Sequence, residues 1–199
     1  MEKTATTIIA STTVVSGETT ALSACTEIDN SRSTQLSLTI NATIHASATG
    51  NLFVYIYTSD DNSTYSDTWY DSWEINNCRQ VAYTSGDYEW MPEETVTAAA
   101  GGTGTVVGWT LTSGTFAGGD AAGVIYLEDI SGTFTDGQAL TGGTSSCSAL
   151  QSGDIAAHAI TRQYYSMSPV PLYIKARVHN GDTGQSVTLV TLVSTKQTI

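Results

Sequence analysis

Tryptophan and tyrosine are concentrated between residues 65 and 90, where acidic residues lie among them. Ring faces stack on the C–H faces of pyranose sugars while carboxylates hold sugar hydroxyls, so one interpretation is a glycan-contact site. A second interpretation is a subunit interface, where Tyr and Trp are enriched. A third is ordinary packing in the core and rim of a β-sandwich, and the sequence leaves all three open. The candidate contact residues are Tyr65, Trp69, Tyr70, Trp73, Tyr88 and Trp90.

Patterns that would indicate catalysis or a bound metal are weak. The three histidines stand apart, without a nucleophile elbow or a zinc-binding helix around them. Residues 60–62 with Asp67 offer hard oxygen ligands of the kind that calcium prefers, but they lack the alternating spacing of a calcium loop. The same residues are ordinary turn formers. We therefore predict a protein that is not an enzyme and has no metal or cofactor.

Composition and charge narrow the class of protein. Charged residues make up 13% of the 199 residues, and Thr, Ser, Gly and Asn supply most of the polarity, a composition typical of strands joined by turns. A net charge of −12 repels phosphate backbones and disfavours nucleic-acid binding. There is no apolar run of roughly 20 residues, so no membrane span is predicted. The three widely spaced cysteines and the absence of a signal peptide favour synthesis in a reducing cytoplasm.

Hydrophobic residues recur with the period of a β-strand. Leu36, Leu38 and Ile40 alternate with polar residues, which predicts a strand with one buried face. Residues 52–57 are apolar on both faces, as expected for a central strand, and residues 172–193 predict a hairpin. The expected fold class is all-β, an antiparallel β-sandwich of the jelly-roll type with a small inserted β-module.

The inserted module is predicted from a change in composition. Residues 95–152 are rich in Gly, Thr, Ser and Ala, which make up nearly two thirds of the segment, and the motif Ser-Gly-Thr-Phe at 113–116 recurs at 131–134. We predict that this segment is inserted into a main sandwich formed by residues 1–94 and 153–199, the alternative being one continuous sandwich. Residues 1–16 are predicted to be an extended arm, mobile in the free protein and added to the sheet of a neighbour.

Three parts of the chain resemble a known group of proteins. Residues 172–180 (LYIKARVHN) with 182–188 (DTGQSVT), and residues 50–61 (GNLFVYIYTSDD) with 70–74 (YDSWE), resemble the strands of small β-sandwich proteins from tailed-phage structural gene clusters. Residues 108–116 (GWTLTSGTF) look like a β-module that recurs in phage head and tail proteins. The likeness is one of pattern and carries no functional motif. It implies a virion component, made in the cytoplasm of a host bacterium.

The expected function follows from this resemblance. We expect a non-enzymatic capsid decoration (cement) protein that stabilises the shell as a trimer or dimer bound to the major capsid protein or other virion proteins. The alternative is a tail or fibre module that binds host-surface glycan through its Trp/Tyr cluster. No nucleic-acid or membrane partner is expected.

Overall fold

The structure is a computed structural model that describes residues 2–165 and 171–198. These residues form fourteen strands and two short 3₁₀ helices, Leu22–Ala24 and Phe116–Gly118. The strands are β1 (Glu2–Val14), β2 (Ile28–Asp29), β3 (Ser33–Ile44), β4 (Leu52–Ser59), β5 (Asp71–Ile75), β6 (Arg79–Gly86), β7 (Thr95–Ala98), β8 (Thr103–Ser113), β9 (Ala121–Ser131), β10 (Ala139–Gly142), β11 (Ser148–Gln151), β12 (His158–Tyr165), β13 (Tyr173–Asn180) and β14 (Val187–Thr198).

The chain divides into two compact units. The first contains residues 1–43, 50–75 and 159–199, and the second contains residues 44–49 and 76–158. The sequence prediction began the inserted module at residue 95, whereas β6 already lies in the second unit and pairs there with β9 and β11.

The first unit is a jelly roll of two four-stranded sheets. One sheet has the order β1-β14-β3-β12 and the other has the order β2-β13-β4-β5. Successive strands of this unit pass from sheet to sheet except between β4 and β5, which is the strand order of a jelly roll. The strand pairs described within it are antiparallel. The expected all-β, antiparallel sandwich fold is therefore confirmed.

The core of the jelly roll comes from strands that alternate between buried and exposed residues. Leu36, Leu38 and Ile40 of β3 are buried, as their spacing predicts. From the opposite sheet, β4 and β13 contribute a matching set of aliphatic side chains that is buried in the same way. These are Leu52, Val54, Ile56, Ile174, Ala176 and Val178.

The predicted hairpin at residues 172–193 is wrong. Strand β13 pairs with β2 and β4, whereas β14 pairs with β1 and β3 in the other sheet. The period-two pattern is the same for two strands of one sheet and for two strands that face each other across a core, so it did not distinguish them. Asp182 fixes the connection: its carboxylate accepts hydrogen bonds from the backbone N–H groups of Gly50, Gly184 and Gln185.

The segment predicted to be a mobile arm is a strand of the jelly roll in the structure. Strand β1 pairs with β14 from Glu2↔Thr198 to Val14↔Val187. Ile8, Ile9 and Val14 are buried. These three core residues are spread among many threonines, and for that reason the segment looked too polar to pack.

The second unit is a closed six-stranded barrel of order β10-β11-β6-β9-β8-β7. Its core is larger than expected for a small meander of glycine-rich strands. The buried members are Val81, Tyr83, Trp90, Val96, Ala98, Val106, Ala121, Ile125, Leu127, Phe134, Leu140, Cys147 and Ala149.

The repeated Ser-Gly-Thr-Phe motif forms the same corner twice in the barrel. Gly114 and Gly132 follow the ends of β8 and β9, and both have a φ of +72°, a left-handed conformation that favours glycine. A Cβ atom would collide with the carbonyl oxygen of Asp120 at the first corner and of Gly101 at the second. The phenylalanine that follows each glycine packs on the barrel core.

Candidate functional site

The structure does not bring the six predicted aromatic residues into one cluster, because Tyr88 and Trp90 belong to the barrel unit. Trp90 is buried there, edge-to-face with Tyr83 at 5.7 Å between ring centroids. Burial raises the pKa of Tyr83 to about 12. Tyr88 is 60% exposed. Trp90 is therefore a core residue, which was the third interpretation drawn from the sequence.

The other four predicted residues lie in the jelly roll, in different surroundings. Trp73 stands on the core side of β5, opposite Val54, with its ring 5.6 Å from that of Tyr164. The Tyr164 hydroxyl donates to Asp71, and burial together with this carboxylate raises its pKa to about 12. Tyr70 is half exposed on the loop before β5.

Tyr65 lies beneath a lysine. The Lys175 ammonium is 4.9 Å from the centre of the Tyr65 ring, a cation–π contact. Burial, and then the nearby Glu27 carboxylate, raise the pKa of Tyr65 to about 12. Both effects hold the phenol neutral at ordinary pH.

Trp69 belongs to a surface that the sequence analysis did not identify. Phe53, Tyr55 and Tyr57 alternate in sequence along β4 with three buried aliphatic residues, which places them on its outer face. Phe53 and Tyr55 are partly exposed there, whereas Tyr57 is buried. The rings of Phe53 and Tyr55 are nearly parallel, at 6.2 Å and 4°. Trp69, 54% exposed, stands 4.8 Å from Tyr55. We call Phe53, Tyr55, Tyr57, Trp69 and His179 the aromatic surface.

Strand β13 gives the aromatic surface a polar rim. Its register places Arg177 opposite Tyr55 and His179 opposite Phe53. The Arg177 Nε donates to the carbonyl oxygen of Thr20 at 2.8 Å, and His179 Nδ1 is 2.9 Å from the hydroxyl of Thr19. A cavity of about 250 Å³ opens between the rings and this rim. It is lined by Thr19, Tyr55, Tyr57, Trp69, Arg177 and His179.

A sequence signal for this surface was present. Residues 52–57 alternate strictly between an aliphatic and an aromatic residue, and the aliphatic set alone is enough to fill one buried face. Because the whole run was interpreted as apolar on both faces, the three aromatic residues were not recognised as a separate set. The preference of large aromatic residues for partly exposed binding surfaces is the property that separates them from Leu, Val and Ile.

A second surface feature is the outer edge of β1. This strand is at the end of its sheet, and its residues 3–7 are exposed on both faces. Beside its second half runs a groove of about 470 Å³, lined by residues 9–15 and, in the following loop, by residues 18–21 and 24. The Thr26 N–H donates to the Ile8 carbonyl oxygen at one point on β1.

One buried carboxylate of the barrel that accepts several hydrogen bonds has a structural role. Glu94 of the barrel accepts hydrogen bonds from the N–H groups of Met91, Thr144 and Ser145 and from the Ser145 hydroxyl. Burial raises the pKa of this carboxyl, but the bonds from Ser145, Met91 and Thr144 outweigh burial and hold the pKa below its ordinary value. Glu94 thus ties the loop before β7 to the turn between β10 and β11.

The residues considered for calcium are engaged in a turn. The Asp61 carboxylate accepts hydrogen bonds from Ser63 N–H, Thr64 N–H and the Ser59 hydroxyl. The bonds from Thr64 and Ser63 lower its pKa. Within residues 2–165 and 171–198, no group of three or more His, Cys, Asp or Glu side chains is placed to hold a metal ion. All three cysteines are buried, and none forms a disulfide.

Comparison with known proteins identified no relative. Neither a protein-family model, nor a curated protein, nor a solved structure matches the chain. The short 3₁₀ helices found in the described residues do not approach the length and hydropathy of a membrane-spanning helix.

Proposed function

We propose that the chain is a non-enzymatic structural protein of a virion, a capsid decoration protein that stabilises the shell through contacts between subunits. The observation that carries the proposal is the outer edge of β1. An edge strand presents N–H and C=O groups that can pair with a strand of another chain. Here the edge belongs to a strand of 13 residues with a groove along its second half.

The sequence of β1 suits such pairing. Natural proteins protect exposed edges with charges, prolines or very short strands. Residues 4–13 of β1 have no charged residue and no proline, and seven of the ten are threonine or isoleucine, at positions 4, 6, 7, 8, 9, 12 and 13. Both residue types favour strands. We propose that a strand of a second copy, or of the major capsid protein, adds to β1 along this groove.

Three further properties support an assembly role. The jelly roll is an architecture used by viral capsid proteins, although a fold by itself does not fix a function. The charge of −12 keeps free subunits apart and suits docking on a basic patch. Weak contacts repeated around a shell gain strength by multivalency.

The direct test is to place the protein in a particle. An antibody against the chain should label virus particles purified from the culture that produces it, and quantitative mass spectrometry should find hundreds of copies in each particle. A handful of copies in each particle would favour the tail or fibre alternative. Particles that contain none of the chain would refute both.

A second experiment tests β1 itself. The double variant Ala10→Lys, Thr12→Lys should weaken the affinity for particles by about tenfold or more. Both positions are exposed on the groove, and two charges there oppose an added strand. The matched control is the double variant Thr97→Lys, Ala139→Lys, which changes two exposed positions on barrel strands. If both variants bind particles equally well, β1 is not the docking edge.

A further inference from the structure

We propose that the aromatic surface of the jelly roll binds a glycan, with one pyranose ring seated between Tyr55, Trp69 and the side chains of Arg177 and His179. This inference is independent of the virion proposal, because it concerns the outer face of the sheet that contains β4 and not the edge of β1.

The ring geometry supports a flat, partly apolar ligand. The rings of Tyr55 and Trp69 contact each other, with centroids 4.8 Å apart and planes tilted by 32°, and both rings border the cavity. Trp69 leaves 54% of its surface in solvent. Burial of an indole ring by a ligand would remove a large apolar area from water and so favour binding. The C–H face of a pyranose ring can stack on such an exposed ring without needing a deep pocket.

The row of rings continues beyond the cavity. Phe53 is stacked parallel to Tyr55 at 6.2 Å and lies 5.9 Å from the His179 ring. Residues two apart on one strand face are roughly 6.5 Å apart, so the row provides adjacent stacking positions along β4. A ligand of several linked sugar units would use more of this row than a single sugar.

The polar rim supplies the hydrogen bonds that a sugar requires. The guanidinium of Arg177 carries five N–H donors, of which the Nε donor is held by the Thr20 carbonyl oxygen. Thr19 and the Glu18 carbonyl oxygen, at 2.9 and 3.2 Å from Nδ1, fix the His179 ring. Tyr55 and Tyr57 complete the lining of the cavity. Side chains held in this way lose little entropy when the ligand binds.

Two other occupants fit the surface less well. Aromatic corners also bind quaternary ammonium groups. Here Arg177 lines the cavity and Lys175 is the next outward-facing residue of β13, and both repel a cation. A protein partner would be expected to cover about 800 Å² on each side, whereas this cavity of about 250 Å³ is a small, shallow depression.

The test is a binding measurement with defined sugars. Saturation-transfer NMR on the full chain should detect binding of at least one member of a panel of maltotetraose, cellotetraose, chitotetraose and 3′-sialyllactose. Trp69→Ala and Tyr55→Ala should each weaken the affinity for that sugar by about tenfold or more. Arg177→Lys, which keeps the charge and removes the planar fork, should weaken it by about threefold to tenfold.

Tyr70→Ala is the matched control. It removes an equally exposed aromatic ring from the position next to Trp69, and Tyr70 does not line the cavity. Its affinity should equal that of the wild type. The proposal is overturned if no sugar of the panel binds the wild type at about 10 mM, ten times a Kd of about 1 mM. It is overturned equally if Trp69→Ala binds as well as the control. Neither result would affect the labelling of particles.

Discussion

The two units of this chain differ in whether their sheets have edge strands. The barrel closes six strands on themselves and so leaves no edge strand in that sheet. The jelly roll has two open sheets, one of which ends in the long strand β1. The capacity to pair with another chain through backbone hydrogen bonds therefore belongs to the jelly roll. The partly exposed aromatic surface lies in the same unit.

The two cores also differ. The jelly roll is filled mainly by aliphatic side chains from long strands, whereas the barrel depends on a few large rings and on glycine corners. Trp90 and Tyr83 are the largest fully buried side chains of the chain's described part. Many of the other core positions of the barrel hold Ala or Val, so each large ring carries a greater share of its stability.

Removal of residues 2–15 should have the largest effect and should fall on the jelly roll. The deletion exposes the flank of β14 and removes Ile8, Ile9 and Val14, which together contribute about 6 kcal/mol of burial. That is comparable to the total stability of a typical domain. With 5-fluorotryptophan incorporated, the ¹⁹F resonances of Trp69 and Trp73 should collapse to random-coil positions, while those of Trp90 and Trp109 in the barrel stay dispersed.

The control for this deletion removes only residues 2–7. These residues pair with β14, but the side chains at positions 3–7 are exposed. The shorter deletion should keep all four ¹⁹F resonances at their native positions. If the longer deletion also leaves them unchanged, β1 is not needed for the fold and the mobile-arm prediction is restored.

Trp90→Ala should have the next largest effect and should fall on the barrel. The buried indole packs against Tyr83, and its removal should lower the free energy of unfolding of the barrel by about 3–5 kcal/mol. Urea unfolding followed by the Trp109 resonance measures this change. Tyr88→Ala, two residues earlier and 60% exposed, should change it by no more than about 0.5 kcal/mol. Equal effects of the two substitutions would show that the barrel core is not organised around Trp90.

Local patterns predicted local structure well in this chain, and long-range pairing poorly. The alternation in residues 35–41 indicated β3, because it depends only on neighbouring residues. The relation of β13 to β14 depends on which distant strands they pair with, and no pattern within residues 172–193 contains that information. The aromatic surface was missed for a related reason. Its members come from β4, β13 and the loop at Trp69, which the fold alone brings together.

The smallest expected effect concerns Glu94. Its carboxylate accepts hydrogen bonds from backbone N–H groups in the barrel, as the carboxylate of Asp182 does in the jelly roll. Its pKa in the folded state is below the ordinary value of 4.5, so the folded state binds the proton more weakly than the unfolded chain does. The stability that Glu94 contributes is therefore fully present above about pH 4.5 and is lost as the pH falls through the folded-state pKa.

In Glu94→Gln, an amide group replaces one of the two accepting oxygens and faces N–H donors, which should cost about 2 kcal/mol at pH 7. Urea unfolding of the barrel at pH 7 and at pH 3 should show that this difference shrinks in acid, because the wild type loses stability there and the variant does not lose this part. Glu93→Gln removes the same charge from an exposed neighbouring position and should leave both the stability and its pH dependence close to the wild type. If the free energy of unfolding of Glu94→Gln differs from that of the wild type by the same amount at pH 7 and at pH 3, the carboxylate does not hold the two loops together through its charge.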